Sequence, residues 1–152
     1  MKYKKILVCY DGSEKAERAL KHGSYLARSL NSQLFVLNVI SIPHKPYGIE
    51  PSEEAKESIK EHLESIMEKL EEDMRQLLEY KCKELNKEGI NVACFVERGV
   101  PVEVIPEFVK NNKIDLVVMG SKPAPRAVRI NVLGSVSRYV LEHVKCPVLI
   151  VH

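Results

Sequence analysis

Five short apolar runs alternate with segments of helical periodicity along the 152 residues of the chain. Apolar runs bounded by turn residues predict buried strands, and their alternation with helices predicts a parallel sheet covered on both faces. The predicted strands are residues 6–10, 34–40, 91–96, 115–119 and 147–151. Because crossovers between parallel strands are right-handed, we expect an α/β fold with a five-stranded, doubly wound sheet of order 3-2-1-4-5.

The helical segments differ in length and in how clearly they begin and end. The first follows the first strand at once, where Asp11 with Glu14 resembles a capping box. The longest occupies about residues 52–88 and begins at the capping residue Ser52, so it predicts either a helix broken near its middle or one whose first turns pass the sheet. We favour packing of its apolar stripe against the sheet over a free partner-binding helix. Pro106 should kink or displace the third helix unless it lies in the first turn.

The predicted strand order places a candidate site before any chemistry is considered. Ligands of open α/β sheets bind outside the carboxyl ends of the strands where the order reverses, here strands one and four. The site therefore combines Asp11-Gly12-Ser13 with Gly120 and Ser121. Asp11 fits two roles equally, a helix cap or an acceptor of hydrogen bonds from a ribose or base. Gly134 and Ser135 begin the last helix, as a plain cap or as an anion site built from backbone N–H groups.

Composition narrows the class of protein. The size and apolar fraction suit one globular domain, residues 1–152, with the long helical segment as an insertion at about 52–88. No apolar stretch is long enough to span a membrane, and no leader-like segment is visible, so we expect a cytoplasmic protein. The four cysteines form no CxxC pair, which predicts reduced thiols and argues against a zinc site or redox motif.

The charge outside residues 52–88 suits an anionic small ligand, and no motif in the chain points to catalysis. Residues 52–88 hold seven basic and twelve acidic side chains, which leaves sixteen basic and nine acidic side chains in the remainder. Lys122, Arg126 and Arg129 lie in the segment beside the predicted site, either as ligand contacts or as a solvated loop. Neither a Walker sequence nor a GxGxxG fingerprint occurs, and the five histidines form no nucleophile and base pattern, so we expect no enzyme, with at most weak hydrolysis of ATP.

The chain resembles the universal stress protein family over nearly its whole length. The matching segments are KKILV before Asp11-Gly12-Ser13, Leu37-Asn38-Val39-Ile40, Gly99-Val100-Pro101, residues 115–121 (DLVVMGS), Leu133-Gly134-Ser135-Val136 and residues 146–151 (CPVLIV). The resemblance implies the same five-stranded fold, a dimer, and in one branch ATP bound between strands one and four. By position, Asp11 and Val39 would lie near ribose and adenine, with Gly120, Gly134, Ser135 and Val136 near the phosphates.

One departure from the nucleotide-binding branch bears on the ligand. That branch has glycine, two residues, a second glycine, nine residues, then glycine with serine or threonine. Here Pro123 stands at the second glycine, and Gly134-Ser135 comes one residue late. Proline has no N–H and adds a ring where glycine lets a phosphate approach the backbone.

Two functions are therefore expected. The first is a regulatory or signalling dimer that binds ATP or another adenine nucleotide, with or without a divalent cation. The alternative is a dimeric interaction module of the same fold that does not bind ATP. In both, an apolar strand at the sheet edge, from Pro147 to Val151, pairs with its copy in a second chain to form a homodimer. We expect no nucleic-acid or membrane partner.

Overall fold

The computed structural model describes residues 2–41, 48, 50–121 and 133–152. Its five strands form one parallel sheet of order β3-β2-β1-β4-β5, which confirms the predicted fold class and strand order. The strands are β1 (Lys5–Cys9), β2 (Gln33–Ser41), β3 (Val92–Gly99), β4 (Leu116–Gly120) and β5 (Val148–Val151). Each coincides with a predicted strand, with small shifts at the ends.

Four helices cover the two faces of the sheet. They are α1 (Glu14–Leu30), α2 (Glu53–Lys87), α3 (Pro101–Asn112) and α4 (Ser135–His143). One apolar cluster packs α1 and α2 on the first face, around Ile6, Val8 and Leu78. The second cluster packs α3 and α4 on the opposite face, around Leu7, Val117 and Val140. The central strands β1 and β4 are therefore covered on both sides, as their unbroken apolar sequences require.

The long helix α2 is continuous, and only part of its apolar stripe packs against the sheet. Met67 and Leu78 are its buried residues, whereas Ile59, Ile66 and Leu70 are about half exposed. Packing of the whole stripe against the sheet, the favoured expectation, is therefore wrong for Ile59, Ile66 and Leu70. Length is the reason: 35 residues of helix extend about 52 Å, whereas the eight residues of β3 extend about 26 Å.

Ion pairs attach α2 to the rest of the domain. Arg98, near the end of β3, donates to Glu64 at 2.7 Å and to Glu71 at 2.5 Å. The hydrogen bond from Arg98 lowers the pKa of the Glu71 carboxyl. Nearer the end of α2, Lys81 contacts Glu17 of α1 at 2.6 Å. These contacts fix the side of α2 that faces the sheet, while the first turns of the helix lie beyond Arg98.

Pro106 does not end α3. The helix runs from Pro101 to Asn112 with Pro106 inside it, so the expected displacement of the helix does not occur. The burial of Ile105, Phe108 and Val109 against the sheet holds the helix together around the missing N–H donor. Pro101 begins the helix, where a residue without an N–H costs no hydrogen bond.

Cys82 and Cys94 form a disulfide, so the expectation of four reduced thiols is wrong. Cys82 lies near the end of α2 and Cys94 on β3, with their Cα atoms 6.4 Å apart, within the range of natural disulfides. The absence of a CxxC motif could not exclude this bond, because the chain turns back after α2 and places β3 alongside the end of that helix. Cys9 and Cys146 are free.

None of the helices in the described ranges combines the length and the apolar character that a membrane span needs.

We predict that the disulfide stabilises the attachment of α2 to the edge strand β3. Closing a loop of this size contributes about 2–3 kcal/mol, so Cys82→Ser/Cys94→Ser should lower the free energy of unfolding by about that amount. Urea titration followed by circular dichroism measures the loss, with Cys146→Ser as the control. Thiol counting in denaturant without reductant should find two reactive thiols; four would contradict the bond.

Candidate functional site

A cleft of about 410 Å³ opens at the carboxyl ends of β1 and β4, where the strand order reverses. Six of the seven residues predicted for the site line it: Asp11, Val39, Gly120, Ser121, Gly134 and Val136. The seventh, Ser135, lies at the start of α4 next to two of them, and its side chain is exposed. Segments distant in the sequence thus meet at the predicted crevice.

Asp11 is not the cap of α1. The N-cap is Ser13, whose hydroxyl accepts a hydrogen bond from the N–H of Ala16 at 3.1 Å. Asp11 accepts the N–H of Ser13 through one carboxylate oxygen, Oδ1, at 2.9 Å, and its side chain is exposed. Gly12 between them has a φ of 82°, a conformation that favours glycine. The Asp11 carboxylate is therefore held at the mouth of the cleft and is not used to cap the helix.

A buried amide fixes the backbone that leads to Asp11. Asn38, on the neighbouring strand β2, donates from Nδ2 to the carbonyl of Tyr10 at 2.8 Å. The Tyr10 hydroxyl donates to Glu17 on α1. Burial, followed by the hydrogen bond and negative charge of Glu17, raises the pKa of Tyr10 well above its usual range. Tyr10 therefore stays protonated and serves to hold the exit of β1 against α1.

Gly120, the last residue of β4, lies directly against the first turn of α1. A Cβ at this position would come within 2.8 Å of the carbonyl carbon of Lys15 and within 2.9 Å of its Cβ. Only glycine leaves room for this approach, so Gly120 allows α1 to cross the end of β4 and brings Lys15 to the cleft.

Lys15 and Ser121 form a polar cluster on this side of the cleft. Lys15 donates from Nζ to the hydroxyl of Ser121 at 3.2 Å, and Nδ1 of His152 lies 3.1 Å from the same oxygen. Ser121 is buried, with 4% of its surface exposed. Its hydroxyl therefore serves mainly to position Lys15, whose ammonium group lies on the cleft wall.

The opposite wall is the start of α4. Gly134 is the N-cap and no described side chain caps the helix, so Ser135 is the first helical residue and its role as a plain cap is wrong. The hydroxyl of Ser137, one turn further, donates to the carbonyl of Gly120 at 3.3 Å. This bond joins α4 to β4 and holds the start of the helix at the cleft, which Gly134, Val136 and Ser137 line, so the helix dipole favours negative charge there.

The floor of the cleft is mainly apolar. Leu37 and Val39 contribute aliphatic surface from β2, and Met119 contributes apolar surface from β4. Cys9 lies among them, and burial together with the negative charge of Asp11 raises the pKa of its thiol to about 12. The thiol is therefore protonated near neutral pH, which makes it a poor nucleophile. A flat apolar ring system suits this floor.

Parts of the predicted site lie outside the described residues, namely Lys122, Pro123, Arg126 and Arg129. Within the described ranges, no group of three or more His, Cys, Asp or Glu side chains is placed to hold a metal ion. Sequence reasoning missed Lys15, although its position four residues after Asp11, in the first turn of a helix that begins at the crevice, was an available signal.

Comparison with known proteins gives one consistent result. The model of the universal stress protein family matches residues 2–152. Universal stress protein Sll1388 of Synechocystis is 36% identical over 157 residues, with 99% of each chain covered. The structure of the MJ0577 protein of Methanocaldococcus jannaschii has a TM-score of 0.78 and 31% identity, covering 99% of this chain and 96% of the other. A universal stress protein of Archaeoglobus fulgidus, solved in complex with dAMP, has a TM-score of 0.61 and 23% identity, with full coverage of both chains.

We predict that Gly120→Ala disrupts the cleft through a steric clash with α1. The added methyl group should lower the free energy of unfolding by about 1–3 kcal/mol, as overpacking does, because the atoms it meets include backbone. Thermal and urea unfolding measure this loss. Met119→Leu, a volume-conserving change in the same strand, is the control and should cost less. Equal stability of Gly120→Ala and the wild type would show that α1 does not need this approach.

Proposed function

The chain belongs to the universal stress protein family, and on that premise we propose that it binds an adenine nucleotide in the cleft and acts as a regulatory or signalling homodimer. The observation that carries this proposal is that one apolar cleft has a hydrogen-bond acceptor at one end and hydrogen-bond donors at the other. Asp11 provides a carboxylate acceptor at one end, and the uncapped start of α4 provides N–H donors at the other. A nucleoside phosphate complements both ends, because its ribose hydroxyls donate hydrogen bonds and its phosphate oxygens accept them.

The sugar and base fit the side of the cleft formed by β1 and β2. A carboxylate such as that of Asp11 accepts hydrogen bonds from ribose hydroxyls, and its second oxygen, Oδ2, is not used by the Ser13 turn. Val39 and Leu37 offer apolar surface for the base. The cleft volume of about 410 Å³ is within the range of sites that bind small molecules.

The phosphates fit the opposite side. The N–H groups at Gly134, Ser135 and Val136 and the dipole of α4 favour an anion, and Lys15 adds a full positive charge on the same cleft. Lys15 thus supplies charge that offsets the loss of the second glycine, the position of Pro123, in the family pattern. No described cluster of side chains is arranged to hold a divalent cation. A cation, if it enters, would be held chiefly by the phosphate oxygens.

A regulatory role is proposed in preference to an enzymatic one. The Cys9 thiol is protonated near neutral pH, because its pKa is raised to about 12. Ser121 is buried and its hydroxyl is bound to Lys15 and to His152. The Cys9 thiol is therefore unreactive, and the Ser121 hydroxyl, on a residue with 4% of its surface exposed, is largely shielded from a ligand.

We predict that Ser135→Asp weakens ATP binding at least about tenfold, because a carboxylate at the first position of α4 repels the phosphates. Adenosine, which has no phosphate, should bind the variant and the wild type equally. Isothermal titration calorimetry with ATP and with adenosine measures both affinities.

Two further variants are needed to interpret the affinities measured for Ser135→Asp. Ser135→Ala removes the hydroxyl without adding charge, so it should bind ATP much as the wild type does. Lys15→Ala should weaken ATP binding and leave adenosine binding unchanged. Unchanged ATP affinity in Ser135→Asp would place the phosphates elsewhere, and a wild type that binds no nucleotide would favour the alternative, an interaction module of the same fold.

The proposed dimer is formed by β5, which is at the edge of the sheet. The N–H groups of Val117 and Ser121 donate to the carbonyls of Pro147 and Val151, so these residues of β5 face β4. Since N–H and C=O groups alternate sides along a strand, those of Val148 and Ile150 point away from the sheet. Antiparallel pairing of two copies of β5 about a two-fold axis would satisfy these groups.

We predict that Ile150→Pro converts the β5-joined dimer to a smaller species, because it removes an outward donor and introduces a ring at the edge. Sedimentation velocity measures the change. Ile150→Ala is the control, since it trims the side chain that packs towards α3 and α4 and keeps the N–H. If Ile150→Pro leaves the assembly intact, the edge of β5 is not an interface.

A further inference from the structure

The helix α2 has a second apolar seam that does not face the sheet. Its members are Ile59, Leu63, Ile66, Leu70, Leu77 and Tyr80, which are between 38% and 65% exposed. The residues that pack on the sheet side, Met67 and Leu78 among them, follow a different line. Successive residues are 100° apart around a helix, so Ile66 and Met67 point in clearly different directions.

The spacing of the seam is typical of a helix that packs against another helix. Its members are separated by alternate steps of four and three residues, with Asp73 occupying the one position between Leu70 and Leu77 that is not apolar. This is the 3.5-residue period of a coiled-coil seam. A helix that only covers a sheet needs no second stripe of this kind. No described part of the chain packs along the seam, since these side chains remain exposed.

The seam exposes as much apolar surface as a typical contact patch. Six large side chains at these exposures present on the order of 500 Å², in the range of patches that mark contact surfaces on soluble proteins. Two such seams packed together, with their flanking side chains, bury roughly the 1,000 Å² that a specific interface requires. A second copy of the chain supplies a seam of matching length and spacing.

Charge then selects the orientation of the two copies. In a parallel pair, Asp73 of one copy would face Asp73 of the other within the seam, which is unfavourable. In an antiparallel pair, Leu70 faces Asp73 of the second copy, and Lys69 lies beside that carboxylate. Both side chains are exposed. The two-fold symmetry makes this contact twice.

The same register pairs four more members of the seam. Ile66 then faces Leu77 of the second copy, and Leu63 faces Tyr80. We propose that α2 forms an antiparallel, two-helix interface with α2 of a second copy of this chain, centred between residues 71 and 72. This interface is independent of the cleft and of the edge of β5. A chain that uses both β5 and α2 assembles as a tetramer with two kinds of two-fold contact.

The direct test is the mass of the assembly at micromolar concentration, measured by sedimentation equilibrium. Ile66→Glu should halve the mass of the wild type, because it places a carboxylate in the seam. Ser65→Glu adds the same charge one residue away, outside the seam, and should leave the mass unchanged. Ile66 is half exposed, so circular dichroism should show both variants folded with the helix content of the wild type. An unchanged mass for Ile66→Glu, or a monomeric wild type, would overturn the proposal.

A charge exchange tests the register. Lys69→Asp should weaken the assembly, because two carboxylates then meet across the interface, and Lys69→Asp/Asp73→Lys should restore it. Failure of the double variant to assemble would overturn the antiparallel register. Comparing the masses of Ile66→Glu and Ile150→Pro, each measured alone, separates the two surfaces. Loss of mass in Ile66→Glu alone, with none in Ile150→Pro, would assign the whole assembly to α2.

Discussion

The cleft depends on the close contact between Gly120, at the end of β4, and the backbone of Lys15 in the first turn of α1. A side chain on residue 120 would have no room there. This contact lets α1 cross from β1 over the end of β4. It places the Asp11 turn, Lys15 and Ser121 around one opening, while Ser137 ties the start of α4 to the carbonyl of Gly120. The anchors of the cleft are thus all positioned relative to one residue that lacks a side chain.

Much of this arrangement could be predicted from the sequence, because it follows from rules that act over short distances. Apolar runs of four to seven residues located the strands, and the handedness of crossovers gave the strand order and hence the crevice with Asp11 and Gly120. The roles at helix starts were harder to predict. Asp11 and Ser135 have capping side chains, yet Ser13 and Gly134 are the caps, because the choice depends on the backbone conformation at each turn.

The other features of the site and of α2 depend on distances between helices and strands, and the hydrophobic periodicity of a sequence does not give those distances. Lys15 reaches the cleft only because α1 packs across β4, and Cys82 meets Cys94 only because the end of α2 lies alongside β3. The apolar stripe of α2 was visible, but the sequence does not say how much sheet is available to cover it. A helix of 35 residues is about twice as long as the neighbouring edge strand β3, so much of its apolar surface remains for another partner.

If the cleft holds an adenine nucleotide, the protein should carry one when it is purified from cells. The protein would be purified rapidly without added nucleotide, denatured, and the released small molecules separated by chromatography and identified by mass spectrometry. We expect an adenine nucleotide in an amount comparable to that of the protein, with much less released from Ser135→Asp. Release of no nucleotide, together with no saturable binding of added ATP, would contradict it.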